Sequence, residues 1–298
     1  MSHKNIAIFG STGHIAKNII SFFSKDNNYS LFLFSRDPKK FQSLDLFLSN
    51  NLSLNSYKDF EKNEYDVIIN CIGENTPGRL SKIQFSVLET VEFYDNMIIN
   101  YLKNSPTTLY INLSSGAVFG QEFDKPVDDL SISKLSVNKI GIGEIYSISK
   151  IYLESKHRAL PDMNIVDLRI FGFFSRFIDL NTIFFMSELI KATKNKSTFV
   201  THKENIMRDY VNPSDFYDLI KNCISNKKLN DEFDVFSKEH VSKFQILQEF
   251  SNQFDLKFRL IEQSESISIT GLKKIIIHYP EKQKKLVIYH NFLPLKQF

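Results

Sequence analysis

Asn5-Ile6-Ala7-Ile8-Phe9-Gly10-Ser11-Thr12-Gly13-His14-Ile15-Ala16 is the stretch that decides the fold. An apolar strand runs into a glycine turn, and residues 17–23 then space their apolar side chains at helical intervals. In that order the turn acquires a chemistry. Gly10 permits a tight reversal, Gly13 lets the backbone approach a pyrophosphate, and the small Ala16 lets helix and strand pack closely. The amino terminus of the helix presents unpaired N–H groups to phosphate oxygens, so Gly10, Ser11, Thr12, Gly13, His14 and Ile15 are expected to line a dinucleotide. A plain structural turn is the competing reading, but the chain has ten glycines and places two of them here at the required spacing. For the His14 side chain two settings stay open, one facing the cofactor and one facing solvent.

Outward from this stretch the chain alternates. A second apolar strand, residues 30–34, ends in Ser35-Arg36-Asp37-Pro38-Lys39-Lys40, where an NAD-binding fold usually sets an acid on the adenosine ribose. A guanidinium at Arg36 stacks on adenine and forks onto a 2′-phosphate, and Lys39 and Lys40 add positive charge, so NADP(H) is expected ahead of NAD(H). Asp37 keeps NAD(H) open, and a solvated turn is the reading without chemistry. Buried-looking strands follow at residues 66–72, 108–113 and 164–170, with a helical pattern over 84–102 and a helix starting near Glu144. Alternating strands and helices without internal repeats imply an α/β chain, a Rossmann-type doubly wound parallel sheet with ligands at the carboxyl ends of its strands. Cys71 and Ser115 stand at two such ends, Cys71 close to the path of a cofactor. Residues 1–170 are expected to form the dinucleotide-binding domain, with part of 207–240 returning to it, while 171–206 and 241–298 form a smaller C-terminal substrate-binding cap. Beyond residue 170, 177–193 reads as helical, 208–216 as a strand-to-helix junction, 244–254 as amphipathic, and 273–279 as a small strand or interface piece.

Composition narrows the partners. The chain has 298 residues, 42% hydrophobic and 24% charged, which suits a globular protein with a sizeable core. Thirty-seven basic against thirty-four acidic residues leave a charge of +3, and no Lys/Arg block is long enough to mark a nucleic-acid partner. The most apolar window, near residues 178–190, carries Asp179 and Glu188, and residues 6–9 are too short for a signal peptide, so no membrane partner is expected and the location is cytoplasmic. Cys71 and Cys223 have neither disulfide nor metal-ligand spacing, so both are expected reduced, with no metal. The twenty-eight Phe and twelve Tyr are expected mainly in the core.

Tyr146-Ser147-Ile148-Ser149-Lys150 carries the clearest candidate for proton chemistry. Four residues apart on a helix, Tyr146 and Lys150 share a face, and a fixed ammonium beside a phenol favours the phenolate. The spacing alone is weak, because Tyr152/Lys156 and Tyr217/Lys221 repeat it and read as exposed helical pairs. Context promotes the first pair: a cofactor turn precedes it, and Ser115 sits at a strand end. His157, almost two turns beyond Lys150, is expected to pack or to be solvated outside the site.

Five motifs then fall in one order: Gly10-x-x-Gly13-x-x-Ala16, Ser114-Ser115-Gly116-Ala117-Val118-Phe119-Gly120, Tyr146-x-x-x-Lys150, Leu168-Arg169-Ile170-Phe171-Gly172 and Arg208-Asp209-Tyr210-Val211. With them the chain resembles the extended short-chain dehydrogenase/reductases, the NAD(P)-dependent nucleotide-sugar epimerase, dehydratase and ketoreductase family, over roughly residues 5–240. The resemblance implies a catalytic set of Ser115, Tyr146 and Lys150. Tyr146 would be the general acid/base, Lys150 would hold the nicotinamide ribose and depress the phenol pKa, and Ser115 would hydrogen-bond the reacting sugar oxygen. Arg208 matches the position that meets the sugar-nucleotide diphosphate, and Arg176 is read either as a phosphate ligand or as a cap of a local helix. A homodimer through the helical faces near 84–102 and 146–157 is also implied.

The departures narrow the chemistry. Where dehydratases carry an Asp-Glu pair or related enzymes a cysteine, this chain has Gly116 and Ala117, which move no proton. Phe119 replaces a usual tyrosine, and Gly172-Phe173-Phe174-Ser175-Arg176 departs from the family's acceptor pattern. One hydride and one proton remain. The expectation is NADPH-dependent reduction of the 4-keto group of a nucleoside-diphosphate 4-keto-6-deoxyhexose, a step in making deoxysugars for surface polysaccharide or glycoconjugate. The alternatives are an NAD-dependent 4-epimerase and a non-catalytic NAD(P)-binding sensor.

Overall fold

The computed structural model describes residues 3–37, 41, 51–120, 126–128, 130–133, 135, 137–226, 228–237, 239–262 and 275–276. The Lys39 and Lys40 expectation lies outside them. In chain order the elements are β1 (Lys4–Phe9), α1 (His14–Phe23), β2 (Tyr29–Phe34), β3 (Leu52–Asn55), β4 (Val67–Asn70), α2 (Pro77–Ile83), α3 (Ser86–Asn104), β5 (Leu109–Ser115), α4 (Ile142–Arg158) and β6 (Ile165–Ile170). Then come α5 (Phe185–Lys194), β7 (Phe199–His202), β8 (Met207–Arg208), α6 (Pro213–Ser225), β9 (Asn230–Val235), β10 (Val241–Ser242), α7 (Lys243–Phe254), β11 (Phe258–Ile261) and β12 (Ile275–Ile276).

Seven strands form one parallel sheet in the order β3-β2-β1-β4-β5-β6-β9. Near-continuous apolar runs make this possible, because a parallel strand covered on both faces has no solvent side: Ile6, Ala7, Ile8 and Phe9 are all 0% exposed. On one face α1 and α6 pack through Ile19, Ile20, Phe23, Phe216 and Ile220. On the other, α3 supplies Ile98, Ile99 and Leu102 against Phe9, Ile68 and Tyr110. The chain leaves β1 in both directions, to β2 and to β4, and between these strands it opens the crevice that such sheets use for ligands.

The remaining elements sit beyond β6. β7 pairs with β11, and β8 pairs with β10 and β12, so residues 275–276 of the carboxy-terminal stretch do form a small strand. A separate core of Phe174, Leu189, Ile246, Leu247 and Phe250 holds α5 and α7 together. The helical reading of residues 177–193 is corrected at its start. α5 begins only at Phe185, because Asp179 holds a turn: its carboxylate accepts the Asn181 N–H at 2.9 Å, and its carbonyl accepts the Thr182 and Ser187 hydroxyls at 2.8 and 3.0 Å. Such local bonds compete with helix formation. The helix read over 84–102 is α3, and Gln84 at φ 45° separates it from the shorter α2 before it.

His157, expected to pack or to be solvated, lies at the centre of a buried ion cluster. Its Nδ1 is 2.9 Å from Asp167 Oδ1 on β6 and its Nε2 is 2.8 Å from Asp95 Oδ1 on α3, with all three residues 0% exposed. Lys156 lies 2.5 Å from the other Asp95 oxygen and Arg158 lies 2.9 Å from the other Asp167 oxygen. Tyr110 donates to Asp95 at 2.8 Å, Asn70 donates to Tyr110 at 2.9 Å, and Asn112 donates to Asp167 at 2.7 Å. Burial by itself disfavours the imidazolium, but hydrogen bonds to the two carboxylates outweigh it and push His157 up to about 9.

This folded value stands above the unfolded reference of about 6.5. The stabilisation is therefore complete below that reference and is lost as pH rises through about 9. Urea unfolding of wild type and His157→Gln checks it. The variant is expected to be less stable by about 3–5 kcal/mol at pH 6, since it removes the buried cation that two carboxylates share, and the gap should narrow by about 3 kcal/mol by pH 9.5.

Candidate active site

β1 ends in the left-handed backbone of Gly10, φ 67°, where a Cβ would stand 3.1 Å from the carbonyl carbon and oxygen of Cys71. Only glycine allows β1 and β4 to meet so closely. The Gly13 N–H donates to Gly10 O at 2.9 Å, and Gly13 then caps α1 without any side-chain bond, leaving the first-turn amides facing the crevice. This cradle fits a pyrophosphate. Ser11 is fully buried and ties the turn to β2, its N–H and hydroxyl both donating to Phe34 O, at 3.2 and 2.7 Å. Thr12 is half-buried, and Ile15 packs against the core.

The His14 ring is committed elsewhere. Its Nε2 lies 2.8 Å from Ser175 Oγ, and that hydroxyl already accepts from Asn18 Nδ2 at 2.7 Å and from the Phe177 N–H at 3.2 Å. With its lone pairs engaged, Ser175 donates its own proton to Nε2. Burial lowers His14 to about 4, so the ring is neutral and pins α1 to the segment after β6. Arg36 is exposed just beyond the end of β2. The Cys71 N–H donates to Phe9 O at 3.0 Å, and burial pushes its thiol up to about 12, which keeps it protonated.

Ser115, Tyr146 and Lys150 converge beyond the ends of β4 and β5. Ser115 closes β5 and accepts the Ala117 N–H at 3.2 Å as the chain tightens into the 3₁₀ turn Gly116–Phe119. Tyr146, near the start of α4, hydrogen-bonds Ser115 through its phenol. Lys150 is 3% exposed, its Nζ donating to Leu113 O at 2.7 Å and lying 5.8 Å from the centre of the Tyr146 ring. A Cβ on Gly73 would come within 3.3 Å of that Nζ.

The electrostatics reverse one expectation. Burial holds the Tyr146 phenol above its ordinary value, the Ser115 hydrogen bond opposes this, and the charge of Glu74 adds to it; Lys150 does not depress it. The lysine spends its ammonium on the Leu113 carbonyl, and burial pushes it down to about 8 against the pull of Asp167, Glu154 and Cys71. Glu74 escaped the sequence reading, although an acid directly after the strand-ending Gly73 was its available signal. Its carboxylate accepts the Thr76 N–H at 2.9 Å and pairs with Arg79 at 3.5 Å, while Arg79 also reaches Asp179 at 3.4 Å.

The turn at Gly116 is crowded by an aromatic ring. A Cβ on Gly116 would stand 2.7 Å from the Phe171 ring, so a side chain there requires that ring, which faces Phe119, to shift. Arg169 lies over Phe119 and forks onto Glu154 of α4 at 2.9 and 2.7 Å, and Glu154 accepts the Ser114 hydroxyl. Arg208 is half-buried on β8, one nitrogen donating to Met207 O at 2.8 Å, and burial lowers it. Gly172 lets Asp209 approach, for a Cβ would lie 2.1 Å from its carbonyl oxygen. Arg176 is exposed over the Phe177 ring at 4.7 Å, with no helix starting there to cap.

The profile of the NAD dependent epimerase/dehydratase family matches residues 6–237, which include the glycine turn, Ser115, Tyr146 and Lys150. The chain belongs to this family. Its solved relatives share the fold at low identity. The UDP-N-acetylglucosamine 4-epimerase of Methanobrevibacter ruminantium M1 is 16% identical with a TM-score of 0.77, covering 94% of this chain and 91% of its own. The UDP-glucuronic acid 4-epimerase of Bacillus cereus, solved with UDP-glucuronic acid and NAD, is 14% identical with a TM-score of 0.75 over 92% and 90%. The dTDP-glucose 4,6-dehydratase of Bacillus anthracis str. Ames, in complex with NAD, is 8% identical with a TM-score of 0.71 over 93% and 87%. No curated protein sequence matches significantly. Within the family fold, no helix among the described residues is long and apolar enough to cross a membrane.

Because Glu74 raises the Tyr146 phenol, Glu74→Gln is expected to lower that pKa and move the alkaline limb of the rate–pH profile to lower pH. An unchanged limb would remove Glu74 from the electrostatics of the site.

Proposed function

We propose that this family member is an NADPH-dependent ketoreductase acting on the 4-keto group of a nucleoside-diphosphate 4-keto-6-deoxyhexose. The observation that carries the reading is the protonated Tyr146: buried and beside Glu74, its phenol stays protonated at neutral pH, in the form that delivers a proton to a carbonyl oxygen. The bound nicotinamide supplies the hydride. Ser115, hydrogen-bonded to the same phenol, polarises the carbonyl oxygen. Lys150, held by Leu113 O, meets the nicotinamide ribose. Gly116 and Ala117 put no acid or base on that turn, which fits a reaction needing one hydride and one proton. Arg36, exposed where the adenosine ribose lies, favours the 2′-phosphate of NADP(H). Arg208 and Arg176 are the candidates for the substrate diphosphate. A homodimer and a cytoplasmic location complete the reading.

A 4-epimerase using tightly held NAD is the second reading, favoured by the activities of the structural relatives. Protein purified with NAD that interconverts a sugar nucleotide without added reductant would establish it. The sensor alternative has no use for Ser115, Tyr146 and Lys150 assembled at one strand end.

Tyr146→Phe is expected to lower kcat by about 10²–10⁴-fold, with the dissociation constant for NADPH nearly unchanged; undiminished turnover sinks the assignment. Arg36→Ala is expected to weaken NADPH by about 10- to 100-fold and NADH much less. Equal losses in isothermal titration would show that Arg36 does not read the 2′-phosphate.

A further inference from the structure

Tyr57 opens the 3₁₀ turn Tyr57–Lys62 that follows β3, and nothing in the family motifs points to it. Its ring lies across the carboxyl ends of two central strands, 5.1 Å from Phe9 of β1 and 6.1 Å from Phe34 of β2. On its other side it meets Tyr94 of α3 at 4.3 Å. This packing fixes the phenol. The hydroxyl oxygen accepts the N–H of Gly10, the first glycine of the cofactor turn, at 3.0 Å.

A phenol that accepts one bond still has its own proton to give, and among the described residues no acceptor takes it. The bond to Gly10 N–H, directly after β1, sets the hydroxyl at the carboxyl end of that strand, where the crevice opens. Burial drives the phenol's pKa upward, so it remains a donor at any physiological pH. The first-turn amides of α1 lie further along, after Gly13, where a pyrophosphate belongs. The position next to Arg36 is where a dinucleotide sets its adenosine ribose.

We infer that Tyr57 is a cofactor-binding residue: it takes up the Gly10 N–H and hands on a hydrogen-bond donor to an oxygen of the adenosine ribose. The inference rests on the dinucleotide reading of the crevice, and not on the choice between reductase and epimerase. It also accounts for a polar group set into an otherwise aromatic cluster, where Phe would pack as well but would leave Gly10 N–H without its partner.

The test is isothermal titration of the full chain and of Tyr57→Phe with ADP-ribose, which carries the adenosine ribose and pyrophosphate without nicotinamide, and with AMP, which lacks the pyrophosphate linkage. The variant is expected to bind both about tenfold more weakly, and to stay folded with an apo melting temperature somewhat below wild type, since the Gly10 N–H loses its acceptor. Unchanged affinity in the folded variant overturns the inference. A loss for ADP-ribose without a loss for AMP moves the contact to the pyrophosphate and overturns it as well. If Tyr57→Phe does not fold, 3-fluorotyrosine at position 57 keeps the Gly10 contact and makes a stronger donor; tighter ADP-ribose binding supports the inference and unchanged binding refutes it. Wild type that binds no ADP-ribose at all would instead defeat the dinucleotide reading, an outcome separable because it appears before any substitution.

Discussion

One imidazolium held between two carboxylates fixes where α4 lies, and α4 carries the chemistry. His157 cannot be buried as a cation unless both ring nitrogens find negative partners, and Asp95 and Asp167 come from α3 and β6. Satisfying all three draws α3, α4 and the sheet into one arrangement. Two turns earlier on α4, Lys150 then reaches Leu113 O and Tyr146 reaches Ser115. A second ion pair at the same interface, Arg169 with Glu154, repeats the constraint one turn closer to the site. The buried charges therefore act as registration, while the apolar faces of α3 and α4 supply the bulk of the burial.

The second constraint is steric and sits at the crevice. Gly10 and the Cys71 backbone approach so closely that a side chain at position 10 has no place, and this contact holds the ends of β1 and β4 in the spacing that a dinucleotide needs. Around it the polar groups are assigned with little overlap. Ser11 anchors the turn to β2, His14 anchors α1 to Ser175, and Tyr57 occupies the Gly10 N–H. The turn's side chains thus hold the scaffold, and its backbone amides remain for the ligand.

The pKa reversal at Tyr146 shows how a motif's chemistry depends on its surroundings. On an exposed helix an ammonium four residues from a phenol would lower its pKa. Here desolvation is larger, the lysine is turned to a backbone carbonyl, and Glu74 contributes the opposite charge. The phenol therefore holds its proton at neutral pH.

The sheet, its parallel order and the place of the crevice were legible in the sequence, because local patterns report them: continuous apolar strands, helical spacing, and glycines where the backbone must turn or approach. Ser115, Tyr146 and Lys150 stood out by residue type and order, and the fold brings the three together. Composition left Glu74, Tyr57 and the His157 cluster out of sight. Each owes its role to partners far along the chain, Tyr146 for Glu74, Gly10 for Tyr57, and Asp95 and Asp167 for His157. Residue type states what a group can do; only tertiary contact decides which charge it meets, how dry its surroundings are, and therefore which proton it holds.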